Sequence, residues 1–112
     1  MDKKQLRLAY EQMKPPMGVF LVTDKRTSQN YLGISKNFQT TKNSLFFRLS
    51  IGALGNYPEL QRHYTQAGEA AIEFSIVEEL EYQEEREAYE EELEILLSLQ
   101  KQAYRDAKEI RL

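Results

Sequence analysis

The chain has 112 residues, which is enough for one domain with a modest hydrophobic core of its own. It contains no cysteine and one histidine, so disulfides, thiolate metal sites and a cage of histidines are excluded. Its first residues lack the apolar stretch of a signal peptide, and no run approaches the roughly 20 apolar residues of a membrane span. We therefore expect a soluble, cytoplasmic protein without a membrane partner.

The charged residues are unevenly distributed along the chain, whose formal net charge is -3. Residues 1–77 hold ten Lys or Arg and six Asp or Glu, whereas residues 78–94 hold ten Glu and one Arg. Such an acidic segment repels a phosphate backbone, whose binding depends on Lys and Arg. Avid nucleic-acid binding is therefore not expected, although a mildly basic face on the first part leaves weak binding open.

The first predicted elements are a helix and a hairpin. Apolar residues at helical spacing predict a helix over residues 3–13, ahead of a proline pair that ends it. Residues 17–23 are apolar and partly β-branched, residues 24–28 are polar turn formers, and residues 29–34 resume an extended pattern. This arrangement predicts a two-stranded hairpin.

A helix is predicted after the hairpin, with Asn37 as its N-cap and residue 51 near its end. Its expected apolar surface is formed by a stripe of residues and the aromatic pair that widens it: Phe38, Lys42, Leu45, Leu49, Phe46 and Phe47.

A short helix and a third strand are predicted next. Residues 58–68 begin with a proline suited to a first helical turn and include His63, which we expect at the surface or rim. Ile72, Phe74 and Ile76 then alternate with other residues, which predicts a third strand with one buried face.

The last predicted element is a long helix over residues 82–110, where no glycine or proline occurs and apolar residues recur at heptad-like spacing. The glutamates at 90–94 are expected on its solvated face. A continuous helix would be roughly 40 Å long, more than this small domain needs. Either the helix is broken, or part of it packs against a partner. A homodimer could then form through Leu93, Leu96, Leu97 and Ile110.

Two triplets stand on the two strands of the hairpin: Gly18-Val19-Phe20 and, ten residues later, Tyr31-Leu32-Gly33. They resemble the signature of the GIY-YIG nuclease superfamily, and residues 33–38 resemble its Gly-x-Ser-x-Asn-Leu pattern. The resemblance covers about residues 15–80 and extends to small stand-alone bacterial members. It implies a single α/β (α+β) domain over 1–112, with its core motif region at 17–80. A small, three-stranded, mostly antiparallel sheet is expected, flanked by helices, with Gly18 and Gly33 as motif glycines.

The resemblance also implies where a phosphodiesterase site would lie and which of its groups have changed. Tyr31 keeps the phenol of the second strand. The first-strand tyrosine falls on Phe20, the helix arginine on Thr41, and a further polar group on Leu45, so these three positions are degenerate. The metal-binding glutamate falls on Glu92, which would hold Mg²⁺ or Mn²⁺.

These substitutions lead to three hypotheses about function. The first is a catalytically degenerate GIY-YIG-like domain that acts as a binding or regulatory module for a protein or nucleic acid and requires no cofactor. The second is a weak metal-dependent DNA endonuclease that uses Tyr31 and Glu92. The third is a self-associating interaction protein that pairs through its C-terminal helix.

Overall fold

The structure is a computed structural model that describes residues 15–81 and 89–112; the helix predicted over 3–13 lies outside them. The elements, in chain order, are β1 (Met17–Asp24), β2 (Gln29–Ser35), α1 (Phe38–Ser50), α2 (Pro58–Ala67), a 3₁₀ turn (Gly68–Ala71), β3 (Ile72–Leu80), α3 (Glu90–Ala103) and β4 (Lys108–Glu109). Within these described parts, no helix is long and apolar enough to cross a membrane.

The four strands form one sheet in the order β3-β1-β2-β4. The predicted hairpin is confirmed: β1 and β2 pair antiparallel, with Gly18 opposite Ser35 and Asp24 opposite Gln29. The turn between them is closed by the Ser28 N–H, which donates to the Asp24 carbonyl at 2.8 Å. This hairpin forms the centre of the sheet, since each of its strands has a further strand on its other side.

Each face of the hairpin is covered by different helices, because successive side chains of a strand point to opposite faces. Phe20, Val22 and Tyr31 lie on one face, in a buried cluster with residues of α1 and α2. Val19 and Leu32 lie on the other face, where they pack against α3. The hairpin residues are therefore core on both sides.

The two helices after the hairpin begin where the sequence predicts them. The Asn37 side chain accepts a hydrogen bond from the Thr40 N–H at 3.2 Å, which confirms the predicted N-cap of α1. Pro58 is the first residue of α2, and Gly68 follows its end. Within the predicted apolar surface of α1, Leu45 and Leu49 are buried, whereas Phe47 is 64% exposed.

The third strand is confirmed and begins at Ile72, but it runs on to Leu80, beyond the alternating residues, and lacks a fully buried face. Ile72 is buried, Phe74 is half-buried and Ile76 is 53% exposed. The reason is position: β3 is an edge strand, and its outer part extends beyond the cover that α1 gives to the hairpin. The register with β1 also shifts between Val19 and Phe20, which leaves Val77 as the extra residue of a bulge.

The C-terminal segment differs most from the prediction. The predicted helix over 82–110 ends at Ala103 in the structure, and its residues 82–88 lie outside the described parts. The chain then adds a fourth strand, β4, which pairs in parallel with Tyr31 and Leu32. Two hydrogen bonds join this C-terminal segment to β2. The Gln29 Nε2–H donates to the Asp106 carbonyl, and the Ile110 N–H donates to the Leu32 carbonyl.

Packing within the domain accounts for the heptad-like spacing of the apolar residues. Leu93, Leu97 and Ile110 are each 1% exposed and belong to the buried clusters of this chain, and Leu96 is half-buried beside them. Four residues predicted to pair with a second copy therefore pack within the domain itself. The exposed apolar residues of α3 are Ile95 and Leu99.

Candidate functional site

The two triplets of the hairpin bring their aromatic residues to one face of the sheet. Val22 lies opposite Tyr31, and Phe20 lies opposite Gly33, so both rings point to the face covered by α1 and α2. A Cβ atom on Gly33 would lie 2.5 Å from the Phe20 ring and 2.7 Å from the Ile110 carbonyl oxygen. Only glycine fits there without movement of its neighbours.

The other motif glycine is also required by close packing. Gly18 has φ +154°, and a Cβ atom there would lie 2.0 Å from the carbonyl oxygen of Glu78 on β3. Both motif glycines thus allow neighbouring chain segments to approach closely. Their presence is explained by the fold of the hairpin and does not by itself require a reaction.

Phe20 is a core residue. Its side chain is 1% exposed and stacks on Phe74, with ring centroids 5.1 Å apart and an interplanar angle of 18°. A stacked, buried ring without a hydroxyl can neither accept a proton nor orient a water molecule. This position therefore contributes packing between β1 and β3.

Tyr31 keeps a phenol, but its surroundings oppose ionisation. The side chain is 2% exposed and meets Tyr57 edge to face, with centroids 5.8 Å apart. Burial raises the pKa of the Tyr31 hydroxyl above 10.0, and the negative charges of Asp24 and Glu59 raise it further. At neutral pH the group is a neutral phenol, and deprotonation to a general base or nucleophile is disfavoured.

Thr41 and Leu45 lie on α1, facing the same side of the sheet. The Thr41 hydroxyl hydrogen-bonds to the Ser35 hydroxyl at 2.5 Å, which joins α1 to the end of β2. Leu45 is fully buried in the cluster that contains Phe20 and Tyr31. Neither side chain offers a positive charge to a phosphate. The structure brings three of the predicted site positions, Phe20, Tyr31 and Leu45, together in one buried cluster.

Glu92 lies apart from these residues. It is in the first turn of α3, which packs on the other face of the sheet. Its neighbour Glu90 pairs with Lys36, and the hydrogen bond from Lys36 lowers the pKa of Glu90. Among residues 15–81 and 89–112, no group of three or more acidic or histidine side chains is arranged to hold a metal ion. The role of Glu92 as a metal ligand stays a prediction.

The sequence analysis missed a buried acid–imidazole pair. His63, expected at the surface, is 6% exposed, and its Nδ1 lies 2.5 Å from Oδ2 of Asp24. The other carboxylate oxygen of Asp24 accepts the Arg26 N–H at 3.0 Å. The signal was present: strand alternation places Asp24 on the same face as Phe20, and His63 lies three residues after Leu60 on the buried side of α2.

The C-terminal residues pack onto the face of the sheet that carries Tyr31. Ile110 packs into the cluster of Phe20 and Tyr31, and the Arg111 N–H donates to the Tyr57 hydroxyl at 2.9 Å. The Arg111 guanidinium makes two hydrogen bonds to Glu94, at 2.7 and 3.1 Å. This fork lowers the pKa of Glu94 and raises that of Arg111. Ile110 and Arg111 thus pack against the residues that surround Tyr31.

Two solved structures resemble this arrangement of strands and helices. The first is the catalytic domain of the homing endonuclease I-TevI, with a TM-score of 0.64 and 19% identity, covering 86% of this chain and 99% of that domain. The second is a Glu-to-Ala mutant of the catalytic domain of intron endonuclease I-TevI, with a TM-score of 0.58 and 20% identity, covering 80% and 81%. I-TevI is a GIY-YIG nuclease. The chain has a GIY-YIG-like fold. No family model and no curated protein matches its sequence.

The GIY-YIG-like fold confirms the resemblance of the two triplets at the level of architecture. In this GIY-YIG-like domain, Gly18 and Gly33 lie on the central hairpin, and Phe20 and Tyr31 share one face of it. At 19% and 20% identity the likeness concerns the fold alone. What the site does follows from this chain's own side chains.

Proposed function

We propose that this GIY-YIG-like domain is a non-catalytic binding or regulatory module. The observation that carries the proposal is the character of the side chains at the predicted site positions. Phe20 and Leu45 are buried and apolar, and the Thr41 hydroxyl is bonded to Ser35. Each stands where the resemblance implies a polar catalytic group. The face that would hold a scissile phosphate is packed as core.

The chemistry of phosphodiester hydrolysis supports this proposal. The reaction needs a base to activate the nucleophile, a cation to stabilise charge on phosphorus, and commonly a carboxylate-held metal ion. The pKa of Tyr31 is raised, and Thr41 replaces the cation. The loss of one charge-stabilising donor commonly lowers a rate by a factor of about 10² to 10³. Several such losses together reduce cleavage to background.

A weak metal-dependent DNA endonuclease is the second candidate, favoured by the likeness to an endonuclease catalytic domain. In this reading Tyr31 and Glu92 would be the working residues, and Glu92 would hold Mg²⁺ or Mn²⁺ with ligands contributed by the substrate or water. Carboxylate oxygens suit either ion. Glu92 is half-buried on α3, across the sheet from Tyr31, which weighs against joint action by the two.

A cleavage assay separates the two candidates. Supercoiled plasmid and single-stranded DNA are incubated with the chain and Mg²⁺ or Mn²⁺, beside the variants Tyr31→Phe and Glu92→Ala. We expect no nicking, or a trace that is equal in all three proteins. Metal-dependent nicking that both substitutions abolish would overturn the non-catalytic proposal.

Nucleic-acid binding without cleavage is tested separately. Fluorescence anisotropy of a labelled DNA duplex is measured at about 50 mM salt, where phosphate contacts are strongest. We expect at most weak binding, because the segment that follows β3 is acidic. We therefore favour a protein partner in the cytoplasm, in keeping with a chain that contains no cysteine.

A further inference from the structure

Within residues 15–81 and 89–112, the outer edge of β3 is an unpaired strand edge. β3 is nine residues long, lies at the end of the sheet, and pairs on one side with β1. Among residues 15–81 and 89–112, no strand pairs with its other side. Alternate residues of such an edge direct N–H and C=O groups outward, ready for backbone hydrogen bonds.

A groove of mixed character lies beside this edge, on the face of the sheet that carries Phe20. Lysine, glutamate and amide side chains line it together with apolar residues, among them Phe74 and Ile76. Its two parts, of about 580 and 240 Å³, share Gln39, Lys42 and Phe74 and run between α1 and β3. Phe74 is half-buried in its floor and Ile76 is 53% exposed at one end. Side chains of a strand added to β3 would alternate between this groove and the opposite face.

The charge on the strand restricts what can bind there. Glu73, Glu78, Glu79 and Glu81 are all exposed on β3 or directly after it. The groove itself is balanced, since two lysines and two glutamates line it. The excess negative charge therefore lies along the strand edge, where it attracts Lys or Arg side chains of an incoming segment.

The same charges oppose two other occupants. A second copy that paired through β3 would place its glutamates against those of the first, and like charges on paired strands are destabilising. A nucleic acid would bring phosphates to the same carboxylates. Glutamates alone could simply protect an edge from aggregation. Protection does not account for an exposed Ile76 beside the half-buried Phe74, because a purely protective edge would avoid an apolar pair at the surface.

We propose that β3 is the docking edge of this domain, and that it binds an extended partner segment in which apolar residues alternate with Lys or Arg. The apolar residues enter the groove beside Phe74 and Ile76, and the basic residues meet the glutamates. Backbone hydrogen bonds to β3 supply affinity, as in other cases of strand addition. The inference rests on the proposed function of a binding module and names the chemistry of its partner.

The test uses a synthetic peptide of alternating lysine and valine, added up to millimolar concentration to the ¹⁵N-labelled full chain. We expect saturable shifts of the amide signals of Ile72–Leu80 in NMR spectra, and cross-strand NOEs to the peptide. Ile76→Ser should weaken binding by about tenfold through loss of apolar contact. Ile95→Ser is the matched control, because Ile95 is 55% exposed on α3 and should leave the affinity unchanged.

Four results would overturn the inference. These are no saturable shift on β3, equal binding of a peptide with glutamate in place of lysine, equal weakening by Ile95→Ser, and a dimer in sedimentation that Ile76→Ser dissociates. Displacement of the peptide by a DNA oligonucleotide would assign the edge to nucleic acid instead. Plasmid nicking would contradict the non-catalytic proposal, whatever the peptide does. If the peptide does not bind at β3 and the plasmid is not nicked, only the docking-edge proposal is contradicted.

Discussion

The two edges of the sheet differ in how they end. At the β4 edge, the last residues of the chain pack back onto the hairpin, and Ile110 is 1% exposed beside Tyr31. At the β3 edge, Ile76 is 53% exposed beside a groove that α1 and β3 line. Both isoleucines lie on the face that carries Phe20. Ile110 is part of the core, whereas Ile76 lies at the surface.

This difference divides the face that carries Phe20 into a covered side and a more exposed side. Its β4 side is closed by Ile110 and by the Arg111 N–H on Tyr57. On its β3 side, no strand of the described part of the chain pairs with the outer edge of this nine-residue strand. The covered side contributes stability, and we assign binding to the more exposed side. Substitutions on the two sides should therefore differ in which property they change.

The largest expected effect concerns the buried pair of Asp24 on β1 and His63 on α2, which joins this helix to the sheet. His63→Ala leaves the Asp24 carboxylate buried without its partner and should lower the free energy of unfolding by about 3–5 kcal/mol. Urea denaturation followed by circular dichroism measures it. Arg62→Ala is the control, since its ion pair with Glu59 is exposed and is worth less than about 1 kcal/mol. Equal losses in the two variants would contradict a buried pair.

The direct comparison of the two edges is the pair Ile110→Ala and Ile76→Ala. The first should cost about 2–5 kcal/mol because it empties a buried site, and the second should change stability by less than about 0.5 kcal/mol. The same denaturation experiment measures both. If Ile76→Ala proved as destabilising as Ile110→Ala, the β3 edge would be covered in solution, and our comparison would fail.

The sequence analysis succeeded where local signals decide the structure. The polar turn at residues 24–28, the Asn37 cap and Pro58 each act on their immediate neighbours, and the hairpin, α1 and α2 follow from them. Beyond Ala103 no local signal marks the end of α3, since the heptad-like spacing continues to Ile110. Contacts distant in sequence decide that boundary.

For the candidate site too, features that depend on residue identity could be predicted, and features that depend on contacts distant in sequence could not. The resemblance implies polar groups at the positions of Phe20, Thr41 and Leu45, and that prediction needed residue identity alone. A half-buried Tyr31 beside Phe20 was expected from its strand, but its full burial depends on Ile110 and Tyr57, which come from other parts of the chain. The Asp24–His63 pair was missed for a similar reason: its partners are 39 residues apart.

A smaller effect is expected from the glycines. Gly33→Ala would place a Cβ atom against the Phe20 ring and the Ile110 carbonyl, which should cost about 1–3 kcal/mol of stability through overpacking. Gly55→Ala has no atom within 4 Å of its new Cβ and should change stability by less than about 0.5 kcal/mol. Thermal unfolding of the two variants tests this. A neutral Gly33→Ala would mean that the C-terminal residues do not lie over the hairpin in solution.

The smallest expected effect concerns the exposed charges that hold the β4 edge. The hydrogen bonds from Arg111 lower the pKa of Glu94 below 4.5. A lowered carboxyl pKa stabilises the fold above the pKa of the unfolded chain, and this contribution is lost as pH falls through the folded value. NMR titration of Arg111→Gln should show the pKa of Glu94 return toward 4.5, with faster exchange of the Ile110 amide. Lys36→Gln is the control, because it should raise the pKa of Glu90 and leave Glu94 unchanged. If Arg111→Gln left the pKa of Glu94 in place, the C-terminal residues would be held by Ile110 and the β4 backbone alone.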